Sequence, residues 1–170
     1  LFRKRAVASV TMPTPSELNR FQQALELIQE HSETGAREPL DLARRYLEEL
    51  HYALELAPPQ RLCLREQEPN RGWGFFVIDL KRPNGLLLEV PAPLEEWSAM
   101  ESAIYLYNRL KASSMAIAGG ARLANKDGSA DVLANPNTPF AVFHRVYGRR
   151  NVLQIRGYND ELLRRMPGLD

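Results

Sequence analysis

Residues 86–122, LLLEVPAPLEEWSAMESAIYLYNRLKASSMAIAGGAR, constrain the fold more than any other part of the chain. An apolar run, a proline-rich turn, an amphipathic stretch, a second apolar run and the Gly119-Gly120 loop follow one another. That is the order of a right-handed βαβ unit. Strands joined in this way need helices over the sheet, so the chain reads as α/β, with a mixed central sheet flanked by helices. Ligand sites in such sheets gather beyond the carboxyl ends of the strands. Glu89 and Arg122, which close the two strands, are therefore the first candidates.

Upstream, Thr14-Pro15-Ser16-Glu17 supplies a cap, a proline for the first turn and a glutamate able to reach back to the cap. Leu18, Phe21, Leu25 and Ile28 then recur at steps of three and four, which predicts a helix with one apolar stripe and Gly35 as its stop. A second helix is expected from Pro39, with Leu40, Ala43, Leu47, Leu50 and Leu54 in the same period until Pro58-Pro59 ends it. The division is thus a tail or edge strand over 1–13, a helical hairpin over 14–58 and an α/β unit over 60–166, packed as one domain. His31 has no acidic or histidine partner one helical turn away, and both it and His51 are read as surface or half-buried imidazoles.

Strands are predicted at 61–65 and 74–80, and Asn84-Gly85 marks a hairpin that makes 74–80 and 86–90 antiparallel neighbours. In the helix expected over 94–111, Trp97, Met100, Ile104 and Tyr107 form a core-facing stripe. A strand at 114–118, a long Asn-, Asp-, Gly- and Pro-rich loop over 121–139, a helix over 140–147, a strand ending at Gly157 and a helix over 159–166 complete the chain. Long loops inside compact domains often carry function.

With 22 Lys and Arg against 21 Asp and Glu, the net charge of +1 argues against a nucleic-acid partner. No run is long and apolar enough to span a bilayer. The single cysteine, Cys63, excludes an internal disulfide framework and a multi-cysteine zinc cluster, and is read as a small buried hydrophobe within 61–65. Arg3-Lys4-Arg5 and a first residue other than Met suggest a segment of something longer, in which an extracytoplasmic part of a larger bacterial protein is one expectation.

Walker-type GxxxxGK[ST], HExxH, GxSxG and CxxC motifs are all missing from the sequence, so no cofactor and no metal are expected. The polar residues at strand ends or in the long loop are Glu89, Arg122, Asn125, Asp131, Asn135, His144 and Arg156. Converging, Arg122, Asn125, Asn135 and Arg156 would hold an anionic or sugar-like ligand through guanidinium forks and amide hydrogen bonds. Trp73, between Gly72 and Gly74, would add a stacking face, or else cover the edge of the core. Glu89 or Asp131 as base with His144 as acid would instead make a hydrolase.

The blocks EVPAP at 89–93, AGGAR at 118–122, SADVLANP at 129–136, FAVFH at 140–144 and VLQIRGY at 152–158 resemble a bacterial metal-dependent amidohydrolase domain of the zinc carboxypeptidase or polyglutamate hydrolase kind. The resemblance covers about the second half of the chain. It implies histidines at four positions that here carry Ala92, Ala121, Ala134 and Arg156. An alanine methyl has no lone pair to give a metal. What the resemblance implies is therefore a hydrolase-like scaffold without its metal chemistry: a noncatalytic domain that binds a ligand or a protein partner. The alternatives are a hydrolase of peptides, amides or polysaccharides, and a structural or regulatory module of a larger bacterial envelope protein whose helices dock on another subunit.

Overall fold

A computed structural model describes residues 9–81, 84–96 and 98–157. The basic cluster at residues 3–5, the side chain of Trp97 and the helix expected over 159–166 lie outside the described residues.

The first helix, α1 (Pro15–Thr34), starts in a full capping box: the Thr14 hydroxyl accepts from the Glu17 amide while the Glu17 carboxylate accepts from the Thr14 amide. It ends at Gly35, whose φ of 72° is left-handed and whose N–H donates to the His31 carbonyl. Its stripe of Phe21, Ala24, Leu25 and Ile28 is buried. The next helix, α2 (Arg37–Glu49), packs beside it and buries Pro39, Ala43 and Leu47.

The expected second helix is too long by one element. His51 takes a φ of 53° and Tyr52–Ala57 forms strand β1. Leu50 and Leu54 do continue the helical spacing, but YALELA also alternates, and pairing with β2 (Arg61–Glu66) buries Tyr52 and Leu54 on one side. Tertiary pairing overrides a period that both readings fit.

Strands β3 (Phe75–Asp79), β4 (Leu86–Val90), β5 (Ser114–Ile117) and β6 (Asn151–Gln154) complete a mixed sheet of six strands among the described residues, in the order β1-β2-β3-β5-β4-β6. The fold is α/β with an open sheet. One expectation is corrected here: β3 and β4 are not neighbours, because β5 lies between them, antiparallel to β3 and parallel to β4. The Asn84 side chain, which signalled a hairpin, instead donates to the carbonyls of Leu110 and Lys111 and fastens the turn to the far end of helix α3 (Ala99–Arg109).

The chain leaves β4 through α3 to reach β5 on one side, then crosses through α4 (Pro139–Tyr147) to reach β6 on the other. Helices α1, α2 and α4 share one core with Leu64, Phe76, Leu87 and Ala116, and α3 shares the second with Val77, Leu88, Val90, Met115 and Ile117. Among the described residues, three helices thus cover one face of the sheet, and α3 packs on the other. The apolar stripes of α1 and α2 pack on this chain's own sheet.

Candidate functional site

Two places deserve the name of a site: the carboxyl ends of the three parallel strands, and the half of the sheet that α3 leaves uncovered.

Strand β4 is the point at which the winding reverses, with β5 on one side and β6 on the other, so the crevice rule points to its carboxyl end. Glu89 sits there with 2 % exposure, its side chain turned toward α4. The Nδ1 atom of His144 lies 2.7 Å from Glu89 Oε1, and Gln154, opposite Glu89 in register on β6, donates to Oε2 at 3.4 Å. Helix α4 is set for this contact by Thr138, whose hydroxyl accepts from the Ala141 amide, by Pro139 at the first position and by Gly148, whose N–H donates to the His144 carbonyl. A half-exposed imidazole steered through one ring nitrogen by a buried carboxylate is an arrangement able to exchange protons at the other nitrogen.

The remaining strand-end candidates are held by one another. Arg122 donates to Asp131 Oδ2 from Nε at 3.1 Å and from the terminal nitrogen at 2.9 Å, and its backbone N–H donates to Glu95. Burial pushes the Asp131 carboxyl up, but the hydrogen bonds from Arg122 and from the Leu133 amide outweigh it and hold the group below its ordinary value. Arg156 is paired with Glu96 at 2.7 Å, and the Gly157 amide donates to the same carboxylate. Asn125 uses both amide atoms on the backbone of Val10, and Asn135 bridges Ser129 and Asn137. These contacts order the 118–138 loop, which contains no helix or strand among the described residues. They bring Arg122 to Asp131 and His144 to Glu89, and they leave the two asparagines as loop braces.

Trp73 belongs to the core edge: it is 3 % exposed, its Nε1–H donates to the Thr11 carbonyl, and the Arg71 guanidinium lies 3.4 Å from its ring centroid. The ring has no free face for a sugar. Arg71 also pairs with Glu17 and Glu66 and donates to the Leu50 carbonyl, so one side chain ties α1, the end of α2 and β2 together. Burial pushes the Glu66 carboxyl up, although it accepts from the amides of Arg71, Gly72 and Trp73.

Among the described residues, α3 covers only part of its face of the sheet. A groove of about 890 Å³ runs between α3 and the faces of β2, β3 and β5. Its floor is Cys63, Phe75, Val77, Met115 and Ile117, and Met100, Ile104 and Tyr107 form the helix wall. Arg61 and Asn108 stand at one end, and Asn70, Glu96 and Gly119 at the other. None of the residues singled out from the sequence as catalytic or ligand-binding lines it. The signal that was present is the composition of α3. Ala99, Ala103 and Tyr107 are its buried positions, whereas Ile104, expected in the core-facing stripe, is 48 % exposed. The small Ala99 and Ala103 let the helix sit close on β4, while Met100, Ile104 and Tyr107 border the groove and only Ile104 among them is exposed.

Among the described residues, no group of three or more His, Cys, Asp or Glu side chains is placed to hold a metal ion. No described helix is long and apolar enough to cross a membrane. Comparison with family models, with curated proteins and with solved structures finds no match to this chain.

Proposed function

We propose that this chain is a noncatalytic ligand-binding domain whose ligand lies in the groove between α3 and the faces of β2, β3 and β5. The observation that carries the reading is the groove itself: its volume of about 890 Å³ falls in the range of small-molecule sites, its walls are apolar and its polar groups stand at the ends. The strand ends are less suited to an anionic or sugar ligand, because Arg122 and Arg156 are neutralised by Asp131 and Glu96 and the amides of Asn125 and Asn135 are engaged. The histidine positions implied by the amidohydrolase resemblance carry Ala92, Ala121, Ala134 and Arg156, in keeping with a scaffold used for binding.

Titration with an anilinonaphthalene sulfonate dye tests this. The native chain is expected to bind it saturably at one site, and Ile104→Trp, which fills the groove from a half-exposed position, is expected to abolish that binding without loss of folded structure. Undiminished binding by the variant would remove the groove as the site.

A second reading, acid–base hydrolysis of a peptide, amide or polysaccharide, is favoured by the 2.7 Å contact of His144 with buried Glu89. In it the imidazole takes a proton from water at Nε2 while Glu89 holds Nδ1. Turnover of a substrate panel that persists in full in His144→Ala would end it.

A further inference from the structure

Resting on the groove-binding reading, we infer that the ligand is an amphiphile with one unbranched aliphatic chain and an anionic head, the chain laid along β3 and the head at Arg61. The floor follows the five residues of β3, a length of about 16 Å at the usual rise per residue. Its width is that of the neighbouring strands β2 and β5, about 10 Å between their axes. Along this floor the side chains are Cys63, Phe75, Val77, Met115 and Ile117, so a sugar or base laid there would lose its hydrogen bonds to water without replacement. An aliphatic chain loses none. Met100 on the helix and Met115 on the floor face the same space, and their unbranched, polarizable side chains can follow the bends of a flexible chain.

The charges fix the polarity. The cations lining the groove are Arg61 and Arg65, both on β2, and the anions are Glu66, Glu96 and Glu101. Arg65 is engaged by Glu55 beside it on β1. Arg61 reaches Asp79 through Nε at 3.4 Å and Asn108 through a terminal nitrogen at 3.1 Å, and its guanidinium lies over the Tyr107 ring. Asp79 takes up part of this charge, as Asp131 and Glu96 do for Arg122 and Arg156. Arg61 nevertheless stands at the end of the apolar floor, and of its five N–H donors those not directed at Asp79 and Asn108 are left for a carboxylate head. At the opposite end the lining carboxylates Glu66 and Glu96 stand against Arg65 alone, which Glu55 holds, so an anionic head is disfavoured there.

The test uses dodecanoate below its micelle concentration, with dodecyltrimethylammonium and naphthoate as comparison ligands, and reads the rate at which maleimide alkylates Cys63 on the groove floor. Dodecanoate is expected to slow alkylation of the native chain saturably, and Arg61→Gln to weaken its apparent affinity about tenfold. Protection by naphthoate and none by dodecanoate would overturn the chain inference while sparing the groove. Equal protection by dodecyltrimethylammonium, with no effect of Arg61→Gln, would overturn the anionic head. Protection by no ligand would overturn the groove reading as well. Protection that rises with protein concentration before any ligand is added would place a second copy in the groove and overturn the proposal.

Discussion

The Arg61 guanidinium lies 5.2 Å from the centroid of the Tyr107 ring, so a residue of β2 reaches across the open half of the sheet to the helix that covers the other half. This is the contact that closes one end of the groove. It also shields Asp79, whose side chain is 2 % exposed and accepts from Arg61. Removing Arg61 leaves that carboxylate buried with less compensation. Arg61→Ala is expected to lower stability by about 1–3 kcal/mol in urea unfolding at neutral pH.

Arg71 is the more deeply embedded arginine, sandwiched between Trp73 and the carboxylates of Glu17 and Glu66. Arg71→Ala breaks a buried charge cluster and uncovers one face of Trp73. We expect a loss of about 3 kcal/mol or more, read from the denaturant midpoint, with tryptophan emission shifted to the red at the same time.

The Arg122–Asp131 pair gives the protein an acid-sensitive loop. Because the folded state holds the Asp131 carboxyl below its unfolded value, its contribution is present above the unfolded pKa and is lost as pH falls through the folded one. Asp131→Asn should therefore be less stable than the native chain at neutral pH, with the gap closing below about pH 4. Thermal unfolding across that range checks this, and a gap that widened on acidification would contradict it.

Gly119 stands where two backbones meet: a Cβ placed on it would lie 2.5 Å from the Gly72 carbonyl carbon and from the Gly74 amide nitrogen. Gly128, with φ of 77°, has nothing within 4 Å of the same hypothetical atom. Gly119→Ala must shift backbone at the rim of the groove and should cost about 2 kcal/mol or more, whereas Gly128→Ala carries conformational strain alone, about 1 kcal/mol. Comparing the two melting curves separates close approach from left-handed geometry.

Much of the layering is legible in the residues themselves. The Thr14–Glu17 box, the Phe21–Ile28 stripe and the parallel crossover around α3 follow from local chemistry that needs no distant partner. What escapes is non-local. Nothing between Asn84 and Gly85 says that β5 will enter between β3 and β4, and YALELA satisfies helical and alternating periods alike until β2 is there to pair with it. The strand-end candidates are found by the crevice rule, yet whether Arg122 faces a ligand or Asp131 depends on how a loop of some twenty residues folds back on itself. The groove is invisible for a related reason. A large apolar residue such as Ile104 reads as core, and only the alanines beside it reveal that α3 packs through another face.

The central claim, a ligand held between α3 and the sheet, is tested most directly by methyl NMR of the chain labelled at methionine. Met100 and Met115 face the groove, and Met12 lies outside it. On titration with dodecanoate the account predicts that the Met100 and Met115 methyl resonances shift together and saturate while Met12 stays in place. Saturable binding that leaves both unmoved would contradict it.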